Sequence, residues 1–158
     1  MEVATPAAET LDAPTDVAEL LTLAPSAAVV RRQRRAMIGP DVVALQEAWY
    51  PADVAQAAGL DRPDKIKGGV LAALLDAGFH PAEADEYVTA DESTPEQAAQ
   101  LAIGARIAVL VIDRVTRDRK GRTIELVRTT GASDRLSLVY SPLPLQVRTP
   151  PDTALPQS

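Results

Sequence analysis

Apolar positions along the chain recur at two spacings, and the changes between them mark out a series of short elements. From Val29 to Ala36 an apolar start gives way to Arg31, Arg32, Arg34 and Arg35. As a strand, this segment sends Arg32 and Arg34 to one side of its pleat and Arg31 and Arg35 to the other. Gly39-Pro40-Asp41 reads as a turn into a second strand, Val42 to Tyr50, so the two predict a hairpin. In that second strand Val43, Leu45, Glu47 and Trp49 share a face. One carboxylate among three large apolar side chains needs a partner or a ligand, and an arginine across the hairpin is the nearest source.

Helical spacing appears in three places. Thr15 or Asp16 can cap a short helix over Val17 to Leu21, with Pro25 closing the segment. Val70, Leu71, Leu74 and Leu75 form the stripe of a second helix, which Gly78 can stop. Thr94-Pro95-Glu96-Gln97 is a capping box with proline at the first helical position, so a third helix starts there and ends near Gly104. Between these, Glu83 to Ala90 reads as a strand. Arg106 to Arg117 is a long strand whose apolar centre, Ile107 to Ile112, predicts cover on both faces. Asp118-Arg119-Lys120-Gly121 turns it back into Thr123 to Thr130, and Arg135 to Tyr140 reads as a last strand. Antiparallel strands with helices between the hairpins predict an α+β fold, a central antiparallel sheet with flanking helices.

Both ends read as tails. Residues 1–15 are rich in Ala, Thr, Pro and acid, and the C-terminal stretch carries Pro142, Pro144, Pro150, Pro151 and Pro156. The division is thus a flexible tail over 1–15, one folded domain over 16–145 and a Pro-rich tail over 146–158. A chain of 158 residues with 46% hydrophobic content is long enough for a continuous core. Its aromatic content of 3% makes that core aliphatic.

Charge and composition remove several function classes. A net charge of −6 argues against nonspecific attraction to nucleic acid or anionic membrane. Without cysteine there is no disulfide, no thiolate metal site and no cysteine nucleophile. His80 stands alone, and Glu83, Asp85, Glu86, Asp91 and Glu92 lack calcium-loop spacing and read as a solvated acidic face, so no metal site is expected. Asp53, Asp61 and Asp64 sit near turns and read as caps. No nucleophile elbow, phosphate loop or dinucleotide fingerprint occurs, and no cofactor is expected. The sequence shows neither an apolar run of about 18 residues nor a basic secretory leader, which predicts a cytoplasmic protein free of the membrane. Glu125 and Arg128, charges inside strand-like runs, remain the best pointers to a ligand.

Three segments together resemble a known family. They are Val42 to Pro51 (VVALQEAWYP), Ser93 to Gly104 (STPEQAAQLAIG), and Val109 to Arg114 (VLVIDR) with Asp118 to Gly121 and Ile124-Glu125. In order and spacing over roughly 16–145 the chain is similar to the UTRA domain, the effector-binding domain of HutC-type regulators in the GntR superfamily. The resemblance implies a chorismate-lyase-like fold, a small-molecule pocket and dimerisation through this domain. In such bacterial regulators the ligand changes how a dimer presents two winged helix-turn-helix domains to operator DNA. Those relatives carry about seventy residues of DNA-binding domain ahead of this one, and no helix-turn-helix pattern fits into residues 1–15. Operator binding is therefore expected only through a domain absent from this polypeptide, which would be a fragment or a stand-alone sensor.

The same resemblance supplies site residues. In sugar-phosphate-sensing members, arginines on the strand before the first hairpin turn grip the anion, and Arg32 and Arg34 stand at or beside those places. Aligned strictly on Val43 to Pro51, the positions are Arg34 and Ala36. Two arginines on one strand face make a fork for carboxylate or phosphate; otherwise they are a solvated basic edge. Glu125 matches a family glutamate that accepts hydrogen bonds from ligand hydroxyl or amide groups; its plainer role is a surface pair with Arg114 or Arg128. Where the family often has tyrosine this chain has Gly131, and where it often has serine and tyrosine this chain has Gly69 and Leu71. These departures imply a less polar cavity, in which the N–H groups of Gly68 and Gly69 could still receive an anion. The expected site is Arg32, Arg34, Glu47, Gly68, Gly69, Glu125 and Arg128, holding a polar or anionic effector. Two alternatives accompany it: a chorismate-lyase-like enzyme in which Arg34 and Glu125 act on a small carboxylate, and a partner that forms mixed dimers with full-length regulators.

Overall fold

The computed structural model describes residues 2–3 and 7–142. Along the chain these form β1 (Glu2–Val3), β2 (Ala7–Asp12), α1 (Thr15–Leu20), β3 (Ala28–Ile38), β4 (Asp41–Pro51), α2 (Ala52–Ala58), α3 (Val70–Asp76), β5 (Pro81–Glu92), α4 (Pro95–Leu101), β6 (Ala108–Asp118) and β7 (Thr123–Ala132). One antiparallel sheet runs β1-β3-β4-β7-β6-β5, and β2 pairs with the same strand as β1, further along β3. Both expected hairpins form, β3 with β4 and β6 with β7, and β4 pairs with β7 at the centre.

The register sorts side chains onto two faces, because successive residues of a strand point to opposite sides. One face carries Val29, Trp49, Leu126 and Val115, which pack under Val17, Ala18 and Leu21 of the first helix. The other carries Val30 and Tyr50, covered by Val54, Ala55, Leu60 and Leu74 of the α2–α3 region. These are called the α1 face and the α2–α3 face below.

Local signals explain most element ends. Thr94 caps α4 as expected: its hydroxyl accepts from the Gln97 N–H at 3.1 Å, and the Gln97 side-chain Oε1 accepts from the Thr94 N–H at 2.9 Å. In the β6–β7 turn the Asp118 carboxylate accepts from the N–H groups of Lys120 and Arg122, both at 2.9 Å. Gly121 takes φ +80°, where a side chain would be strained.

Several expectations are corrected. Residues 7–12, read as tail, are an edge strand: Leu11 packs on the α1 core and Glu9 pairs with Arg31 at 2.6 Å. The first helix takes Pro14 at its N-cap, a residue with no side-chain acceptor, and Asp16, within the first turn, pairs with Arg128. A helix over 52–58 follows Pro51 directly, with Asp53 in its first turn. In β6 the two-sided cover is incomplete: Val109 is buried, whereas Leu110 and Ile112 are half-exposed and Ile107 is exposed. No strand forms over 135–140. The chain instead turns back after β7, and Arg135 donates to the carbonyls of Leu101 (2.8 Å) and Val42 (3.0 Å). The Pro-rich segment over 146–158 lies outside the described residues.

Candidate functional site

The α2–α3 face is a grid whose rows follow from the strand pairing. Arg34, Gln46, Thr129, Ile112 and Val88 lie in one row across β3, β4, β7, β6 and β5. Toward the helices the next row is Arg32, Ala48, Val127, Arg114 and Glu86. Beyond it Tyr50, Glu125 and Thr116 stand side by side. Polar groups are thus gathered between the helix-covered apolar end and the Ala44–Gly131 row, which Leu136 packs against.

Within this grid the polar contacts form two relays. Arg34 donates its Nε–H to the Gln46 carbonyl oxygen, and Gln46 donates its amide to the Thr129 hydroxyl at 3.2 Å. Arg34 therefore rests on a neutral partner, and no carboxylate pairs with it among the described residues. By contrast Arg31, Arg117, Arg122 and Arg128 all sit on carboxylates. In the second relay the Tyr50 hydroxyl donates to Glu125 Oε2 at 2.8 Å. Burial pushes the Glu125 carboxyl above its ordinary range, while the Tyr50 hydroxyl, Arg114 and the Thr116 hydroxyl draw it part of the way back. Tyr50 is pushed well up, first by its own burial and then by the adjacent carboxylate, so it remains a donor at neutral pH.

Chemically, this pairs a cation whose guanidinium has N–H groups to spare with a partly desolvated acceptor. An anion can take the fork of Arg34. A hydroxyl or amide can donate to Glu125.

The expected residues do not all meet. Arg34 and Glu125 share the α2–α3 face. Arg32 lies on it too, but it is 7% exposed and is committed to the chain: Nη1 donates to the carbonyls of Leu60 (2.9 Å) and Arg62 (2.5 Å), and Nη2 to that of Asp64 (2.9 Å). It ties the loop after α2 to the sheet. Gly68 and Gly69 precede α3 with φ +81° and +88°, and Val70 and Leu74 of that helix pack with the Tyr50 cluster. Glu47 and Arg128 are register partners on the opposite, α1 face. Arg31, across the hairpin as expected, approaches Glu47 at 3.5 Å and stacks 5.4 Å from the Trp49 ring centroid. Arg128 donates to both oxygens of Asp113 (2.7 and 2.9 Å) and to Asp16 (2.9 Å). These carboxylates raise its pKa, the Asp113 hydrogen bonds most.

Sequence reasoning followed the Glu47 side of β4 and so passed over Gln46 and Tyr50. Their signal was the parity of the hairpin: even-numbered residues of β4 face the same way as Arg32 and Arg34. Thr129 and Thr116 become visible only through the pairing of β7 with β4 and β6.

A cavity of about 400 Å³ lies elsewhere, between α2, the 59–67 loop and α3, bordered by Arg62, Lys65, Lys67 and Asp76. It opens on the helix layer, and neither Arg34 nor Glu125 borders it. Among the described residues no cluster of His, Asp and Glu could hold a metal ion, and no helix is long and apolar enough to cross a membrane.

Comparison with known proteins fits this architecture. Residues 5–137 match the UTRA domain family. A GntR-family transcriptional regulator from Enterococcus faecalis superposes with a TM-score of 0.76 at 18% identity, covering 88% of this chain and 99% of that one. The ligand-binding domain of a putative GntR-family regulator from Bordetella bronchiseptica gives a TM-score of 0.74 at 23% identity, over 89% and 90% of the two chains. The effector domain of PhnF from Mycobacterium smegmatis gives 0.70 at 21% identity, over 85% of each. Against the longer PhnF chain, the match spans 60% of that protein. Among curated proteins none matches the sequence.

Proposed function

On the premise that this chain belongs to the UTRA domain family, the match extending over residues 5–137, we propose that it senses a small anionic effector on the α2–α3 face of its sheet. The domain is the ligand-sensing part of a GntR-type transcription regulator. In the proposed reading Arg34 receives the anion, and Gln46 and Thr129 hold it in place. Glu125, oriented by Tyr50, accepts a hydrogen bond from the rest of the ligand. Gly68 and Gly69 precede the helix that covers one end of that face. Arg32 positions the loop that covers one end, and Glu47 and Arg128, on the other side of the sheet, serve the fold. The protein acts by binding rather than catalysis, as a homodimer, in the cytoplasm, and it engages DNA only through a separate domain.

The observation that carries this is the state of Arg34. An exposed guanidinium seated on the neutral relay of half-buried Gln46 and Thr129 keeps donors free for a bidentate anion. The test is a thermal-shift screen of the purified chain against sugar phosphates and organic acids, followed by the variants Arg34→Gln and Glu125→Gln. At least one compound should raise Tm, and Arg34→Gln should remove the rise. A rise that survives in both variants would move the site elsewhere. Incubation with chorismate should release no pyruvate; release at enzymic rates would sink the binding-only reading.

A further inference from the structure

Strand β5 ends one side of the sheet, and among the described residues nothing pairs with its outer edge. It is twelve residues long, exposed along nearly all of its length and free of proline after Pro81. Alternate N–H and C=O groups therefore point outward, the arrangement on which a further strand can pair. Tyr87, 52% exposed, and Val88 stand on opposite faces of that edge.

The chain also holds a strand-like segment without a ladder. Leu136 to Tyr140 reads Leu-Ser-Leu-Val-Tyr, rich in strand formers, yet among the described residues its one backbone hydrogen bond runs from the Leu136 N–H to the Ala132 carbonyl at 3.1 Å. Leu138 and Tyr140 are exposed, and Val139 is 79% exposed. Its own β5 edge is out of reach. Leu136 packs on Gly131, whose row runs through Leu110 to Ala90. From β7 past β6 and β5 to the outer edge is three strand spacings, about 14 Å, which takes about four extended residues. Tyr140 would arrive there with only Ser141 left before Pro142, which cannot donate to a ladder.

Charge disfavours the other self-pairing, β5 on β5. The strand carries Glu83, Asp85, Glu86, Asp91 and Glu92 and no base. Antiparallel registers centred on Tyr87, between Tyr87 and Val88, and on Val88 set Glu83 against Asp91, Glu83 against Glu92, and Asp85 against Asp91 respectively. Like charges directly opposite destabilise a pair. The segment from Leu136 to Tyr140 is uncharged and meets none of that repulsion.

We infer that residues 136–141 of one copy add as a strand to the outer edge of β5 in a second copy, and that the exchange is mutual. Each copy gives one segment and receives one about a two-fold axis, so both edges are covered and the assembly closes at two chains. This interface rests on the homodimer proposed above and is independent of Arg34 and Glu125.

The chain has no cysteine, so introduced thiols report the contact directly. Val139→Cys protein is mixed in turn with Tyr87→Cys, Val88→Cys and Thr89→Cys protein and oxidised, and linked peptides are identified by mass spectrometry. At least one mixture should give a disulfide between position 139 and β5. In sedimentation velocity the unaltered full chain should run as a dimer. Val139→Pro removes one ladder donor from each segment at an exposed position, and it should weaken the dimer about a hundredfold, roughly tenfold per segment. Val139→Ile, which keeps the donor and the strand propensity, should dimerise as the unaltered chain does. A dimer that survives Val139→Pro and gives no mixed disulfide overturns the strand exchange and leaves the homodimer standing. Linkage of Val88→Cys only to itself also overturns it, giving the edge to β5 of the second copy. A chain that sediments as a monomer at every concentration overturns both the exchange and the homodimer.

Discussion

Glu125 illustrates how one side chain can be set against the stability of the molecule that carries it. Burial raises its pKa, so in its ionised form it costs folding free energy at neutral pH. The sign follows from proton binding. Between the unfolded and the raised folded pKa the native state holds more protons, so the cost is present above the folded pKa and is relieved as pH falls through it. We expect Glu125→Gln to raise the Tm of the ligand-free protein by a few degrees at neutral pH. The gain over the wild-type chain should shrink to nothing by about pH 4, near the carboxyl's unperturbed value. Thermal unfolding of both proteins across that range checks it, and a variant less stable than the wild type at pH 7 would contradict it. That cost is what the proposed ligand contact of Glu125 is set against.

Among the elements, the loop between α2 and α3 depends on Arg32 more than on its own sequence. Three carbonyls accept from one guanidinium that is almost entirely buried. Arg32→Ala should cost about 3 kcal/mol in urea denaturation, since the carbonyls lose charged donors and a void remains. In hydrogen exchange, protection should fall first over residues 59–67. Loss of protection spread evenly over the sheet would contradict that picture. How much of this was legible differs by element. The β3–β4 hairpin and α4 were written locally, in the Gly39-Pro40 turn with its alternating flanks and in the Thr94–Gln97 box. Strand β2 was not, because Ala7, Ala8 and Glu9 have weak strand propensity and the segment is held by pairing with β3, a contact that local pattern does not encode. Helix α2 escaped for a related reason: Ala52–Ala58 carries only Val54 as a large apolar residue, and the sheet beneath supplies the rest. For the proposed site, Arg34 and Glu125 came from the resemblance. Tyr50 and Gln46 needed a parity argument that the charge at Glu47 had drawn to the wrong side.

For the whole molecule, the two faces of the sheet divide the labour. The α1 face is bound together by charge: Arg128 links Asp113 of β6 to Asp16 of α1, and Arg31 links Glu9 of β2 to Glu47 of β4. Arg128→Ala would leave two carboxylates facing each other without their cation. It should cost about 1–3 kcal/mol in chemical denaturation while leaving the thermal shift given by an effector from the screen unchanged; a loss of that shift in a folded variant would show that the faces are not independent.

Alternation along β3 shows what that independence is good for. Arg32 and Arg34 look one way, and Arg31 and Arg35 the other. Even positions of the strand meet the side proposed to bind the effector, while the odd position Arg31 holds the chain's first long strand, β2, in place. Two traits are thereby inherited on one short stretch of sequence without being entangled. A substitution at Arg34 can retune what the domain is proposed to detect while leaving its attachment to β2 intact, and one at Arg31 does the converse. For anyone re-engineering this sensor, β3 offers two separately adjustable dials, and only an inserted or deleted residue, which would swap the sides, turns both at once.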